Sequence, residues 1–249
     1  MKRVISISLI ALFACLATIA AANNPPVRIV TEDFPPYNYQ EDAQVKGLST
    51  EIVQAVFNHL RLEAPQFEFY PWARSYYIAQ KEPNVLIFSI ARIPEREDLF
   101  HWVGTIAPYQ TSLYKMREDE ETQVNSLDDA RRYRIGVSQD DVITTYLQSQ
   151  NVTKLEVVGR DAFNIEKLRY RRLKLIAYDE ASFNYIIQQR NITPDAFERV
   201  YRLTDLSDQL YMAFSKGTPM SRVREFRAAL VEIKTNGTFN TILNKYFPK

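Results

Sequence analysis

The sequence predicts an α/β fold of two lobes, each a mostly parallel sheet flanked by helices, with two extended strands crossing between them as a hinge. Short apolar runs alternate with segments of helical periodicity along nearly the whole chain. The alternation falls into two successive sets of about a hundred residues each, and no Gly/Ser-rich linker separates them.

The elements follow in order. Val27 to Thr31 is a strand candidate. Residues 48–60 place Leu48, Ile52, Val53, Val56, Phe57 and Leu60 on one helical face, with Ser49 as the expected cap. Phe67 to Tyr70 and Val85 to Ile90 read as strands around a helix from Trp72 to Gln80, a βαβ progression whose strands run parallel with right-handed crossovers. The second set begins after Lys115. A short helix from Ser126 to Arg132 precedes a strand from Tyr133 to Val137 and a helix from Val142 to Gln148. Leu155 to Val158 and Leu173 to Tyr178 read as strands, Asp161 to Arg171 and Glu180 to Arg190 as helices. Val200 to Leu203 and Leu210 to Phe214 are strand-like. Val223, Phe226, Leu230 and Ile233 then recur at helical spacing, Gly237 stands where a helix end favours positive φ, and 238–247 reads as a last short helix.

The N-terminus points to export. Lys2 and Arg3 precede an uncharged stretch from Val4 to Ala20, and Ala20-Ala21-Ala22 offers small residues before the polar Asn23-Asn24 and Pro25-Pro26. That order is a cleavable secretory signal over residues 1–22, in preference to a retained anchor or to lipidation at Cys15, where Phe13 is bulky and the following residues stay apolar. Cleavage would remove the only cysteine, leaving stability to burial. It would also take the 31 basic residues to 29 against 30 acidic ones, a balance that gives no reason to expect a nucleic-acid partner. His59 and His101 are too far apart to suggest a metal site, and no motif implies a cofactor.

Several segments, taken together, resemble the bacterial extracellular solute-binding proteins of family 3, the periplasmic proteins of polar amino-acid ABC transporters with the type II binding fold. They are Val27-Arg28-Ile29-Val30-Thr31-Glu32 with Phe34-Pro35-Pro36-Tyr37, and Gly47-Leu48 opening a helix. Further on come Ile87-Phe88-Ser89-Ile90 through Pro94-Glu95-Arg96-Glu97, Phe100, Trp102-Val103 and Ala107-Pro108-Tyr109. Ile135-Gly136-Val137-Ser138-Gln139, Lys174 to Asp179, Tyr211 to Lys216, Asn236-Gly237-Thr238 and Lys245-Tyr246-Phe247 complete the set. Each motif is weak alone; their order over almost all of the mature chain is what makes them specific. The resemblance implies lobe 1 from residues 23–111 and 211–249 and lobe 2 from 112–210. It also implies a ligand held between the lobes, a monomer, and delivery to an inner-membrane ABC permease or a receptor.

The same resemblance assigns site residues. Arg96 would fork a ligand carboxylate, which suits a planar guanidinium, or pair on the surface with Glu95 or Glu97. Ser89 ends a buried strand facing the cleft. Asp179 would accept from a ligand ammonium, cap the helix that follows, or do both. Phe34, Tyr37 and Trp72 would wall the ligand side chain or pack in the core. Trp72 with Arg74, in Pro71-Trp72-Ala73-Arg74, resembles one branch of the family, and Glu32 stands where relatives select polar or basic side chains. One departure stands out. Where relatives follow Gly136-Val137-Ser138-Gln139 with glycine and a small hydroxyl residue, this chain has Asp140-Asp141. Acids suit a helix start but repel a carboxylate, so amine-bearing ligands become candidates, with Asp141 and Glu32 as partners and Asp140 as a capping residue. A sensor component, or an enzyme similar to cyclohexadienyl dehydratases, are the competing functions. Enzymatic chemistry would need a carboxylic acid with a raised pKa, and no motif demands it.

Overall fold

The computed structural model describes residues 26–160, 162–206 and 209–248. The expected signal sequence over residues 1–22, and with it Cys15, lies outside these residues. In the first part of the chain, β1 (Arg28–Thr31) leads through a hairpin of β2 (Tyr39–Glu41) and β3 (Gln44–Lys46) into α1 (Leu48–His59). Then come β4 (Phe67–Phe69), α2 (Trp72–Lys81), β5 (Val85–Ala91), a 3-10 turn at Pro94–Leu99 and β6 (Phe100–Pro108). The middle holds β7 (Thr111–Met116), α3 (Leu127–Ala130), β8 (Ile135–Ser138), α4 (Val142–Ser149), β9 (Leu155–Val158), α5 (Ala162–Arg169), β10 (Leu175–Asp179), α6 (Glu180–Gln189) and β11 (Phe197–Arg202). β12 (Gln209–Ser215), α7 (Met220–Thr235) and α8 (Thr238–Tyr246) finish it.

Two five-stranded mixed sheets result, ordered β4-β1-β5-β12-β6 and β11-β7-β10-β8-β9. In the first, β1 pairs parallel with β4 and β5, while β12 runs antiparallel to β5 and β6. In the second, β8 pairs parallel with β9 and β10, while β7 runs antiparallel to β10 and β11. The reversed strand of each sheet is the one that has just crossed from the other. β6 ends at Pro108 in one sheet and β7 starts at Thr111 in the other; the return lies between β11 and β12. A strand that arrives at the cleft must run away from it, against neighbours whose carboxyl ends point into it.

The helices cover the sheets with apolar stripes. Leu48, Ile52, Val53, Val56 and Phe57 of α1 are buried with Phe226, Leu230 and Ile233 of α7, and the Phe57 and Phe226 rings meet edge-on at 5.0 Å. Each side chain so buried contributes roughly 1.5–3 kcal/mol. The opposite face of the first sheet packs Val30, Val85 and Ile87 against Trp72, Ile78 and Ala79 of α2. Among the described residues no helix is long and apolar enough to cross a membrane.

Ser49 is not the cap of α1. The helix starts one residue earlier, after Gly47 at φ 117°, and Ser49 lies inside its first turn with its hydroxyl unbonded. The first N–H groups donate instead to the backbone carbonyls of Pro36 (from Leu48, 3.0 Å) and Tyr37 (from Ser49, 2.8 Å). A Cβ at Gly47 would stand 2.3 Å from the Tyr37 carbonyl oxygen, so this close approach requires glycine. Gly237, between α7 and α8, adopts the expected positive φ, 86°.

Candidate functional site: the cleft between the sheets

The carboxyl ends of β1, β5, β8 and β10 converge on a cleft whose cavity is about 40 Å³. On the first-sheet side, one buried amide organises the wall. Asn38 donates from Nδ2 to Thr31 Oγ1 (2.9 Å) and to the Glu32 carbonyl (2.7 Å), and its Oδ1 accepts from the Ser89 hydroxyl. Ser89 is presented by a bulge. Along β12, Tyr211 pairs with Ile90 and Met212 with Phe88, so Ser89 has no partner there and adopts a left-handed φ of 58°.

Trp72 opens α2 immediately after Pro71, and its ring stacks on Tyr76 at 5.6 Å. Arg96, on the 3-10 turn, is buried with its guanidinium carbon 5.3 Å from the Trp72 centroid and 4.9 Å from that of Tyr76. Its Nη1 donates to the Ala91 carbonyl at 3.3 Å. It is not a surface arginine paired to Glu95 or Glu97; Glu97 pairs with Arg92 instead.

From the second sheet, the turn after β8 brings Asp140 and Asp141 to the cleft. Asp140 is left-handed (φ 56°), and its carbonyl accepts from Trp72 Nε1 at 2.8 Å and Arg96 Nη2 at 3.3 Å, so two side chains from one side hold a single backbone oxygen from the other. Asp141, not Asp140, caps α4: its carboxylate accepts from the Val142 N–H at 2.6 Å and from that of Ile143. Burial raises its pKa, and the nearby Arg96 charge and those two N–H groups oppose the rise.

Asp179 ends β10 and caps α6. Oδ1 accepts from the Ser182 N–H (2.8 Å); Oδ2 accepts from the Tyr37 hydroxyl (3.1 Å) and the Gln110 N–H (3.4 Å). Burial pushes its pKa up to about 7, against the pull of those three donors.

Glu32, Phe34, Trp72, Ser89, Arg96, Asp141 and Asp179 therefore share one lining. Two residues expected at the site do not. Tyr37 is buried behind it, holding Asp179, and Arg74 is exposed on α2 with its guanidinium 4.3 Å from the Tyr70 centroid. Sequence reasoning missed Ala91, Tyr109, Ser138, Val142, Ile143 and Leu210 in the lining, and Asn38 behind it. Tyr109, Ser138 and Leu210 border the crossings or end a strand, which is the signal that could have found them; Asn38 gives none. The lining holds, among the described residues, three acids, Glu32, Asp141 and Asp179, and one guanidinium, that of Arg96. Among the described residues no group of His, Cys, Asp and Glu could hold a metal ion.

The family model of the bacterial extracellular solute-binding proteins, family 3, matches residues 27–249. No curated protein sequence matches the chain. Among solved structures, a histidine kinase sensor domain with similarity to periplasmic binding proteins aligns with TM-score 0.82 and 15% identity over 90% of this chain and 97% of its own. An ancestral arginine-binding protein bound to arginine aligns with TM-score 0.78 and 17% identity, covering 89% and 97%. An ancestral amino-acid-binding protein, a precursor of cyclohexadienyl dehydratase, aligns with TM-score 0.75 and 15% identity, covering 89% and 94%. At these identities the structures show a shared fold.

Proposed function

Because the chain belongs to family 3 of the bacterial extracellular solute-binding proteins, we propose that it captures a small polar solute bearing an amino group and hands it to an ABC permease. The protein acts in the periplasm after losing residues 1–22, and the lobes close on the solute about the two crossings. The observation that carries this reading is Asp179: a buried carboxylate in the cleft, held by three donors, with Arg96 and the aromatic wall on the opposing side. A buried carboxylate with its pKa at about 7 gains a partner when an ammonium group arrives.

A thermal-shift screen of the purified mature protein against amino acids, amines and organic acids tests it. A solute that binds only the folded state raises the melting temperature, by about 2.7 kcal/mol of stabilisation at a hundredfold excess over Kd. Amine-bearing solutes should shift it and lose most of the shift in Asp179→Ala; a shift with organic acids alone would sink the reading. The sensor domain among the structural relatives favours a second reading, a receptor's ligand-binding partner. Cross-linking in intact cells separates the two, since the trapped membrane protein is either a permease or a receptor. The dehydratase precursor motivates one more control: a bound solute recovered unchanged after long incubation marks a binder, and a converted one an enzyme.

A further inference from the structure

We infer that Asp141 fills, from within the protein, the place a ligand carboxylate would take, so that the cleft selects an amine lacking a carboxylate over the matching α-amino acid. This rests on the reading of the cleft as a site for an amine-bearing solute.

The first N–H groups of a helix have no partner within it and attract an anion. In α4 those of Val142 and Ile143 are already taken by the carboxylate of Asp141, a residue of the cleft lining. Arg96, the one guanidinium in the lining among the described residues, acts on that carboxylate electrostatically. Arg96 is also committed elsewhere: Nη1 to the Ala91 carbonyl, Nη2 to the Asp140 carbonyl, its face toward Trp72 and Tyr76. Backbone donors and a guanidinium are what a ligand carboxylate needs, and here both already face a carboxylate of the protein. A second one entering beside it meets like charge in a confined space. The lining also brings two further acids to the cleft, Asp179 from one side and Glu32 from the other. That arrangement suits an amine, and a second cationic group on the same molecule adds to the match.

Isothermal titration of the purified protein with pairs that differ only in the carboxylate tests this: arginine and agmatine, lysine and cadaverine, ornithine and putrescine. In the pair that binds, the decarboxylated amine is expected to bind at least tenfold more tightly than the amino acid. D141S keeps a capping side chain for α4 while removing the carboxylate, and should move that ratio at least tenfold toward the amino acid. D141N, of nearly the same shape, should move it in the same direction if charge is the cause. Tighter or equal binding of the amino acid by the unaltered protein overturns the inference and leaves the solute-binding reading standing. Binding by no member of any pair overturns the amine reading itself, and this inference with it. The comparison within each pair on the unaltered protein decides the matter even if a variant fails to fold.

Discussion

Asp179 carries a pKa of about 7 in the fold against about 3.9 in an unfolded chain. Below about pH 4 both states hold the proton. As pH rises from there toward 7 the unfolded chain releases it while the folded protein keeps it, so this residue makes stability fall with rising pH, until both states are ionised. Asp179→Asn removes that fall. Denaturant melts should find the variant more stable than the parent by about 1–3 kcal/mol at pH 8, with the gain shrinking by pH 4.5. A difference that does not change with pH would mean that burial is not what raises this carboxyl. Asn38 is the opposite case, a neutral group whose loss leaves others stranded. Asn38→Ala removes the partner of Thr31, Ser89 and the Glu32 carbonyl at once. It should cost about 2–4 kcal/mol, read as a lower denaturant midpoint with unchanged slope. At this scale the sequence singled out Ser89, as the end of a buried strand, but not Asn38, and it gave no sign of the backbone that presents Ser89. Asn38 looks like any turn asparagine, and the left-handed Ser89 exists only because β12, far along the chain, pairs on either side of it.

Elements were legible where their pattern is local. α1, α2, α7 and the strands β1, β5 and β10 stand where periodicity and apolar runs placed them. β6 and β7 were not legible as two strands, because 100–116 is extended almost throughout and only the change of sheet partner at Tyr109 and Gln110 divides it. The β2–β3 hairpin was missed for its brevity, three residues a side. The junction between crossings and lobe is held at Glu180. Its N–H donates to the Gln110 carbonyl at 2.7 Å, and its carboxylate accepts from Ser112 Oγ, Arg199 and Arg202, which joins the start of β7 to the end of β11. These donors hold its pKa below the usual range against the opposing effect of burial. Such a carboxylate adds stability above its unfolded pKa of about 4.3, which is lost as pH falls through the lower folded value. Glu180→Gln should therefore destabilise by about 1–2 kcal/mol at pH 7, the half-exposed arginines limiting the effect, with little difference near pH 3. Melts at the two pH values check this.

At the scale of the whole molecule, hydrogen bonds reach from one side of the cleft to the other, among them those from Trp72 and Arg96 to the Asp140 carbonyl, from Tyr37 to Asp179, and between Tyr39 and Tyr185. Trp72→Phe keeps an aromatic ring and deletes one donor. At about 1 kcal/mol for the bond, the closed arrangement should become roughly fivefold less favoured, since 1.4 kcal/mol is a factor of ten. Small-angle scattering of the ligand-free variant should show a larger radius of gyration, and solute should bind several-fold more weakly; an unchanged radius would mean this bond does not hold the halves together. The chain-wide order of motifs made the architecture readable. How the halves meet was not, because it depends on residues 44 or more positions apart in sequence.

The place of β12 has a consequence for how the polypeptide comes into being. It lies between β5 and β6, yet it is made only after every strand of the second sheet. A nascent chain emerging from its N-terminus thus carries the first sheet with an empty slot down its middle, while the second sheet can assemble from one unbroken stretch. The inserted half is able to mature first, and the half that contains the beginning of the protein is the last to be finished.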